Sequence, residues 1–481
     1  MNAKRKPTFV EACIPIGFLI FIISIGVLKY DADPQIPLLI STIVASFIGL
    51  RLGYKWYELE DGIIKTIMPA MQAILIQMII GVIIGNWIIA GIVPTMIYYG
   101  LQILSPGIFL PATTVICAVV SLATGSAWTT AGTVGIALLG VGQGLGIYTP
   151  LVAGAIISGS YFGDKMSPLS DSTNLAPAIA GTSLFEHINH MIKTTSVSFI
   201  ISVIIYAVIG ARYAGKELNI VEIDMLLSAL NDQFVITPFL LIPPVLVIVM
   251  VALKMPALPG LLGGGVLGAI FAVIFQGANL GQILDVSQYG YVSETGFTAV
   301  DNLLTRGGLQ SMMFTVSLIL VAMAYGGVIE KTGVLDAIGA KLIRFTKTTG
   351  SLVLTTAITC IFCNFTMADQ YLAIVVPGRM FKDKYKEKHL KMKNLSRVLE
   401  DSGTLTSALV PWSTCGAFMS STLGVYPFAY LPFAFLNLIN PVVSVIYAYL
   451  GFTMEKEDDY EEGNAETTEV KTEEKVEAAA K

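Results

Sequence analysis

Residues 352–377 read L-V-L-T-T-A-I-T-C-I-F-C-N-F-T-M-A-D-Q-Y-L-A-I-V-V-P. The stretch is apolar at both ends and polar in the middle. Lys347 and Lys382 flank it, with 34 residues between them. Basic residues mark cytoplasmic ends of membrane spans, and two full crossings need about 40 residues. The spacing therefore predicts a hairpin or a broken helix around 364–370. A helix broken in lipid strands backbone amides and carbonyls, each at a cost of several kcal/mol. Such a break survives only where it lines a cavity or binds something.

The rest of the chain supplies the membrane protein this requires. Of its 481 residues, 54% are hydrophobic and 13% charged, with mean hydropathy +0.73. A soluble domain of this length carries about a quarter charged residues. Apolar runs at 14–28, 36–50, 74–89, 196–209, 239–253, 261–275, 312–328 and 428–450 read as spans with their flanks. With the more polar stretches between them, roughly ten to thirteen embedded segments are expected. The alternation of a membrane barrel is missing, so the fold class is all-α and polytopic. The run after Lys4, Arg5 and Lys6 is too long for a signal peptide and is read as the first span.

Two halves look alike. In the first, residues 124–133 (T-G-S-A-W-T-T-A-G-T) and 163–174 (G-D-K-M-S-P-L-S-D-S-T-N) form polar knots in apolar surroundings. In the second, the knots are 364–370 (N-F-T-M-A-D-Q) and 400–414 (E-D-S-G-T-L-T-S-A-L-V-P-W-S-T). Thr124 and Asp164 are 40 residues apart, and Asn364 and Asp401 are 37 apart. Paired interrupted segments at matching positions point to a transporter built from two repeats, with its binding site at the breaks. The expected divisions are a cytoplasmic N-terminus (1–11), a first repeat (12–211), an external linker (212–234), a second repeat (235–453) and an acidic, solvated tail (454–481). From Glu455 onward there are eleven acidic and four basic residues, a balance of −7 against −5 for the whole chain.

The knots concentrate the oxygen donors. Asp164, Asp171, Asp369, Glu400 and Asp401 are the carboxylates, and an ionisable group at membrane depth is a functional candidate by default. Burial favours the protonated form of a carboxyl and a bound cation favours the ionised form, so one group can exchange a proton for a sodium ion. Sodium is expected at Asp369, Asp401 and Asn364. Ser126, Thr129, Ser167, Ser170, Gln370, Thr404, Thr406 and Ser407 are further candidates for neutral oxygens. Asp164 and Glu400 equally fit helix caps at the membrane surface, and Pro168 breaks any helix joining Asp164 to Asp171. Ser and Thr also bond back to their own helices. Trp128 and Trp412 fit cavity walls or interfacial anchors. His187 and His190 are expected at the surface, near a span end. Lys165, Arg379 and Arg397 suit either an organic anion or a positive-inside loop.

Other classes lack their signatures. There is no P-loop, no nucleophile elbow and no paired metal motif, so an ATP-driven pump, an enzyme and a resident cofactor are not expected. The five cysteines are scattered and read as small hydrophobes. Nothing points to nucleic acid.

Residues 163–172 (G-D-K-M-S-P-L-S-D-S), 368–381 (A-D-Q-Y-L-A-I-V-V-P-G-R-M-F) and 399–418 (L-E-D-S-G-T-L-T-S-A-L-V-P-W-S-T-C-G-A-F) resemble the NhaC-type sodium/proton antiporter family. The resemblance extends from about Glu11 to Leu450, and 399–418 is its most specific part. It implies exchange of cytoplasmic sodium, with lithium a further candidate, for external protons across a bacterial plasma membrane. It also implies inverted repeats with re-entrant hairpins, often in a homodimer within the lipid bilayer. Some members look like sodium–lactate/malate–proton antiporters, so a small organic acid is the alternative cargo. Lys165 and Met166 depart from the family pattern, which often has histidine or another polar residue after the aspartate.

Overall fold

A computed structural model describes residues 4–30, 32–214, 220–253 and 255–457. Most of the expected tail and part of the expected external linker lie outside the described residues. Among the described residues, seven helices are long and apolar enough to cross a membrane, or up to nine if two bent pairs each count as one span. The other embedded segments read from the sequence are shorter helices flanking breaks, such as Asp171–Ala180 and Thr414–Leu423. Large apolar side chains such as Phe47, Val119, Ile200 and Val266 face outward, as a lipid-facing surface requires. Most polar residues of the knots are buried; Asp171 and Asn174 are exposed.

The helices repeat one pattern. Pro106–Thr124 and Thr349–Met367 each have 19 residues, and their starts are 243 positions apart. Asp171–Ala180 and Thr414–Leu423 each have 10 residues and are again 243 positions apart. The helices beginning at Thr149 and Met392 keep the same interval, as do the helix ends at Gly144 and Glu387.

The breaks repeat as well, and the local sequence explains them. Pro106–Thr124 ends at Gly125, which is left-handed at φ 69°. Ser126 then caps a new helix by accepting a hydrogen bond from the Thr129 amide at 3.1 Å. In the second half Ala368 takes the left-handed conformation at φ 57°, and Asp369 caps Gln370–Glu387 by accepting from the Leu372 amide at 3.0 Å. The second break of each half is capped by serine. Ser170 accepts from the Thr173 amide at 3.4 Å and Ser413 from the Gly416 amide at 3.0 Å. Pro168 stands between Met166 and Ser170, where the helix ends as expected.

Candidate functional site

Within each half the two breaks abut. The Thr414 amide donates to the Ala368 carbonyl at 2.8 Å, tying the fourth knot to the third. In the first half Gly125 lies against Leu169 and Ser170, so close that a β-carbon there would strike them. A cavity of about 1250 Å³ lies where the two pairs meet. Its charged lining is Asp164, Asp171, Glu330 and Asp369, with Lys65 and Lys331. Both lysines are already paired with Asp61, at 2.8 and 3.0 Å. The remaining field is therefore acidic. Asp369 accepts from Leu372 through one oxygen and from the Thr414 hydroxyl, at 3.4 Å, through the other. Ser170 is a hydrogen-bond neighbour of the Asp164 carboxyl. Trp128 forms part of the wall and stacks on Phe418, with ring centroids 4.2 Å apart.

A second polar cluster lies behind this wall. Residues 399–404 form a π-helical turn, a widened turn common at functional sites. It carries Glu400 and Asp401 into the interior, both with no exposed surface. Asp401 is ion-paired with Lys165, which is equally buried. It also accepts from Asn440 at 2.7 Å and Thr194 at 3.2 Å, with Arg397 at 3.9 Å. Burying a charge is costly unless it is paired and hydrogen-bonded, and Asp401 is both. Neither oxygen of Glu400 makes a hydrogen bond of good geometry, although the Ser172 and Thr404 hydroxyls lie nearby.

The expected site residues thus divide. Asp164, Ser126, Ser170, Asp171, Asp369 and Gln370 line the cavity. Asp401, Asn364, Thr129, Ser167, Thr404, Thr406 and Ser407 do not line it. Asn364 instead donates to the Gly403 carbonyl at 2.6 Å and to Thr406 at 3.0 Å, bracing the π turn. Thr406 and Ser407 bond back to carbonyls of their own segment, at 2.6 Å each. Ser167 closes its own turn by accepting from the Leu169 amide at 3.2 Å. The hydroxyls of Thr129 and Thr404 are buried without a good hydrogen-bond partner.

Several expectations are corrected. Asp401 and Asn364 are not brought to one cavity with Asp369, because the π turn directs them toward Lys165 and the backbone. Glu400 is not a surface cap but wholly buried. His187 and His190 are not at the surface. They are buried against Ser396 at 2.8 Å and Asn394 at 3.1 Å. Lys165 and Arg397 are interior residues serving Asp401, and neither lines the cavity, so neither is placed to hold an anion there; only Arg379 remains exposed. Trp412 is buried and donates to the Phe365 carbonyl at 2.8 Å, which rules out an interfacial anchor. The start of the expected tail is docked. Glu455 meets Lys193, Lys391 and Lys393, and Leu390 bridges to Lys456.

The residues sequence reasoning missed are Glu330, Thr194 and Asn440. Each sits on a mostly apolar helix outside the four knots. Only the rule that a polar or ionisable residue within a span is costly would have flagged them.

Residues 159–452 match the Na+/H+ antiporter family. The Na+/H+ antiporter NhaC of Alkalihalophilus pseudofirmus is 40% identical, covering 94% of this chain and 98% of that protein. The malate-2H+/Na+-lactate antiporter of Bacillus subtilis is also 40% identical, over 94% of this chain and 96% of its own. The arginine/ornithine antiporter ArcD of Halobacterium salinarum is 37% identical over 96% of each chain. Among solved structures, Neisseria gonorrhoeae MtrF, of a class of antimetabolite efflux pumps, aligns with 92% of this chain and 95% of its own at TM-score 0.38 and 15% identity. With the family match over residues 159–452 and relatives 37–40% identical over nearly its whole length, this multi-pass membrane chain belongs to the Na+/H+ antiporter family.

Proposed function

We propose that the protein is a secondary antiporter that exchanges sodium ions for protons across a bacterial plasma membrane. The observation carrying this reading is the acidic cavity at the meeting of two matched pairs of broken helices, with Asp369 and Asp164 in its lining, four carboxylates against two lysines, and both lysines held by Asp61. Carboxylates with serine and threonine hydroxyls replace the hydration of a hard cation. A buried carboxylate that loses its cation takes a proton instead. Sodium would sit at Asp369 and Asp164, with Ser126 and Ser170 as neutral donors. Sodium uptake into inside-out vesicles driven by a pH gradient tests the reading; absence of uptake contradicts it.

Alternating access would come from two repeats of opposite orientation. Residues 382–393 contain six lysines, whereas their counterparts 243 positions earlier, 139–150, contain no lysine or arginine. Under the positive-inside rule, equivalent segments of such unequal charge face opposite sides. The N-terminus would be cytoplasmic. Lys4 pairs with Glu58 at 2.5 Å, Lys341 lies 4.1 Å from the Phe9 ring, and Lys388 donates to the Lys347 carbonyl at 2.7 Å, so these basic segments gather at one end. The cavity reaches the surface beside Lys65, on that same side.

A second reading adds an organic acid to the cargo. A cavity of about 1250 Å³ far exceeds a bare cation, and one relative is named for malate and lactate exchange. Malate or lactate added to sodium-loaded vesicles would then change the rate of proton movement; no change would exclude it.

A further inference from the structure

Two helices carry the second half of the site, and both are gripped at their outer ends by the last described residues. Gln370–Glu387 begins at the Asp369 cap, and Met392–Val398 runs straight into the π turn Leu399–Thr404. At the inner end a β-carbon on Gly403 would stand 3.0 Å from the Ala373 carbonyl oxygen, so the π turn lies on the first turn after Asp369. At the outer end residues 453–457 cross both helices. The Glu457 amide donates to the His389 carbonyl at 2.8 Å and the Lys391 amide to the Glu455 carbonyl at 3.0 Å, with Leu390 opposite Lys456. Asn394 donates to the Glu455 carbonyl at 2.7 Å and accepts from its amide at 3.3 Å. Arg397 has no exposed surface and donates to the Thr453 hydroxyl at 2.6 Å. The Glu455 carboxylate is paired with Lys391, Lys393 and, on Leu184–Ala214, Lys193. His389 and Thr453 are left-handed, at φ 52° and 61°. Residues with a β-carbon hold that conformation only where their surroundings over-determine the backbone. A chain end that merely left the last helix, Phe435–Tyr449, needs neither strained residue and no buried arginine.

We infer that residues 453–457 are a positioning clasp: Thr453 and Glu455 hold the outer ends of Gln370–Glu387 and Met392–Val398 together and so set the spacing between Asp369 and the π turn behind it. This rests on the antiport reading above, which puts the cation at Asp369. None of residues 453–457 lines the cavity. They act through Asn394 and Arg397, whose helix continues into the π turn. Two helices fastened at one end and packed at the other keep a fixed spacing; unfastened, each is free to tilt. A binding constellation tolerates about 0.5 Å of displacement before it fails. Part of the hold is ionic and partly exposed, with the Lys193 side chain 46% and that of Glu455 31% accessible. Salt screens such pairs, so the clasp loosens as ionic strength rises.

The test uses the full-length protein in liposomes, well below its melting temperature, and reads the sodium concentration that gives half the maximal proton signal. Thr453→Val with Glu455→Gln should raise that concentration at least threefold. The hydrogen bonds on either side make Leu390 and Lys456 a non-hydrogen-bonded antiparallel pair. The α-carbons of such a pair lie about 4.5 Å apart, within the span of a disulfide. Leu390→Cys and Lys456→Cys are therefore added to the first two substitutions, in a Cys13→Ser background because the other four cysteines are buried. Oxidised with diamide, this protein should return to within about twofold of the wild-type requirement by the restored spacing alone; reduced with dithiothreitol, it should lose the recovery. A wild-type requirement in Thr453→Val with Glu455→Gln overturns the proposal. So does a raised requirement that the closed disulfide leaves unchanged, because general loosening would not be reversed by one cross-link. Should a variant fail to fold or to oxidise, choline chloride at ~0.5 M decides instead, since it shortens the reach of exposed charges. It should raise the wild-type requirement at least twofold and leave Glu455→Gln unmoved, and an equal rise in both overturns the clasp. Wild-type vesicles without any sodium-driven proton movement would instead contradict the antiport reading itself.

Discussion

Asn364 donates a 2.6 Å hydrogen bond to the carbonyl of Gly403. Shifted back by 243 positions, the same contact joins Ser121 to the carbonyl of Ser160, also at 2.6 Å. Each bond ties the helix before the first break of its half to the helix before the second. The broken helices are thus held by equivalent cross-links, one through an amide and one through a hydroxyl.

Asn364→Ala removes the donor that braces the π turn and leaves a buried carbonyl short of a partner. Such losses cost about 1–3 kcal/mol. The melting midpoint in detergent should fall, and transport should slow because Glu400 and Asp401 lose their fixed position. Unchanged melting and transport would mean that the turn holds itself.

The Lys165–Asp401 pair is predicted to be structural. Breaking a buried pair by removing one partner costs about 3–5 kcal/mol, whereas replacing both can be nearly neutral. Asp401→Asn should therefore be much less stable than wild type, and Lys165→Met with Asp401→Leu should recover much of the loss. Thermal melts of the three proteins decide this. A stable Asp401→Asn with a weakened sodium response would make Asp401 a cation ligand.

The two left-handed break residues should respond in opposite directions. Gly125 sits at φ 69° with Leu169 and Ser170 against it, so Gly125→Ala adds both backbone strain and a clash. Ala368 at φ 57° already bears the strain, about 1–2 kcal/mol for a residue with a β-carbon. Ala368→Gly should be neutral or stabilising by up to about 1 kcal/mol, after the added entropy of the unfolded glycine is offset. Melting curves should move down for the first variant and not down for the second.

Outside the spans, Glu455 fastens the end of the chain to Lys193, Lys391 and Lys393. Partial burial pushes its carboxyl up, but the hydrogen bond from Lys393 and the surrounding cations outweigh this and hold it at about 2. The folded value lies below the ordinary one of about 4.3. Its stabilising contribution is therefore complete above that value and lost as pH falls toward 2. Glu455→Gln should loosen the contact between Leu390 and Lys456 at neutral pH, raising hydrogen exchange there, and the difference from wild type should vanish near pH 2. A difference that persists there would rule out ionisation as the cause.

Much of this arrangement is legible in the sequence. The four knots stand out because polar residues are scarce in the spans, and Pro168 and Gly125 mark two of the breaks outright. Ala368 gives no such signal, since alanine ordinarily favours helix; in the fold its left-handed turn is accompanied by a hydrogen bond from the distant Thr414 amide. Pairing across the chain is hidden too. Lys165 and Asp401 are 236 residues apart, and each reads locally as a loop charge or a site residue. The histidines at 187 and 190 look like span-end residues until Asn394 and Ser396 cover them. What sequence leaves open at each carboxylate is its partner, and the partner decides whether the group exchanges ions or holds the fold.

The most direct measurement of the central claim is the response of a pH dye inside proteoliposomes when sodium is added outside. Wild-type protein should give a proton signal, and Asp369→Asn should require a tenfold or greater rise in sodium concentration at unchanged thermal stability. An Asp369→Asn protein with the wild-type sodium dependence would contradict the placement of the exchange site in the cavity between the broken helices.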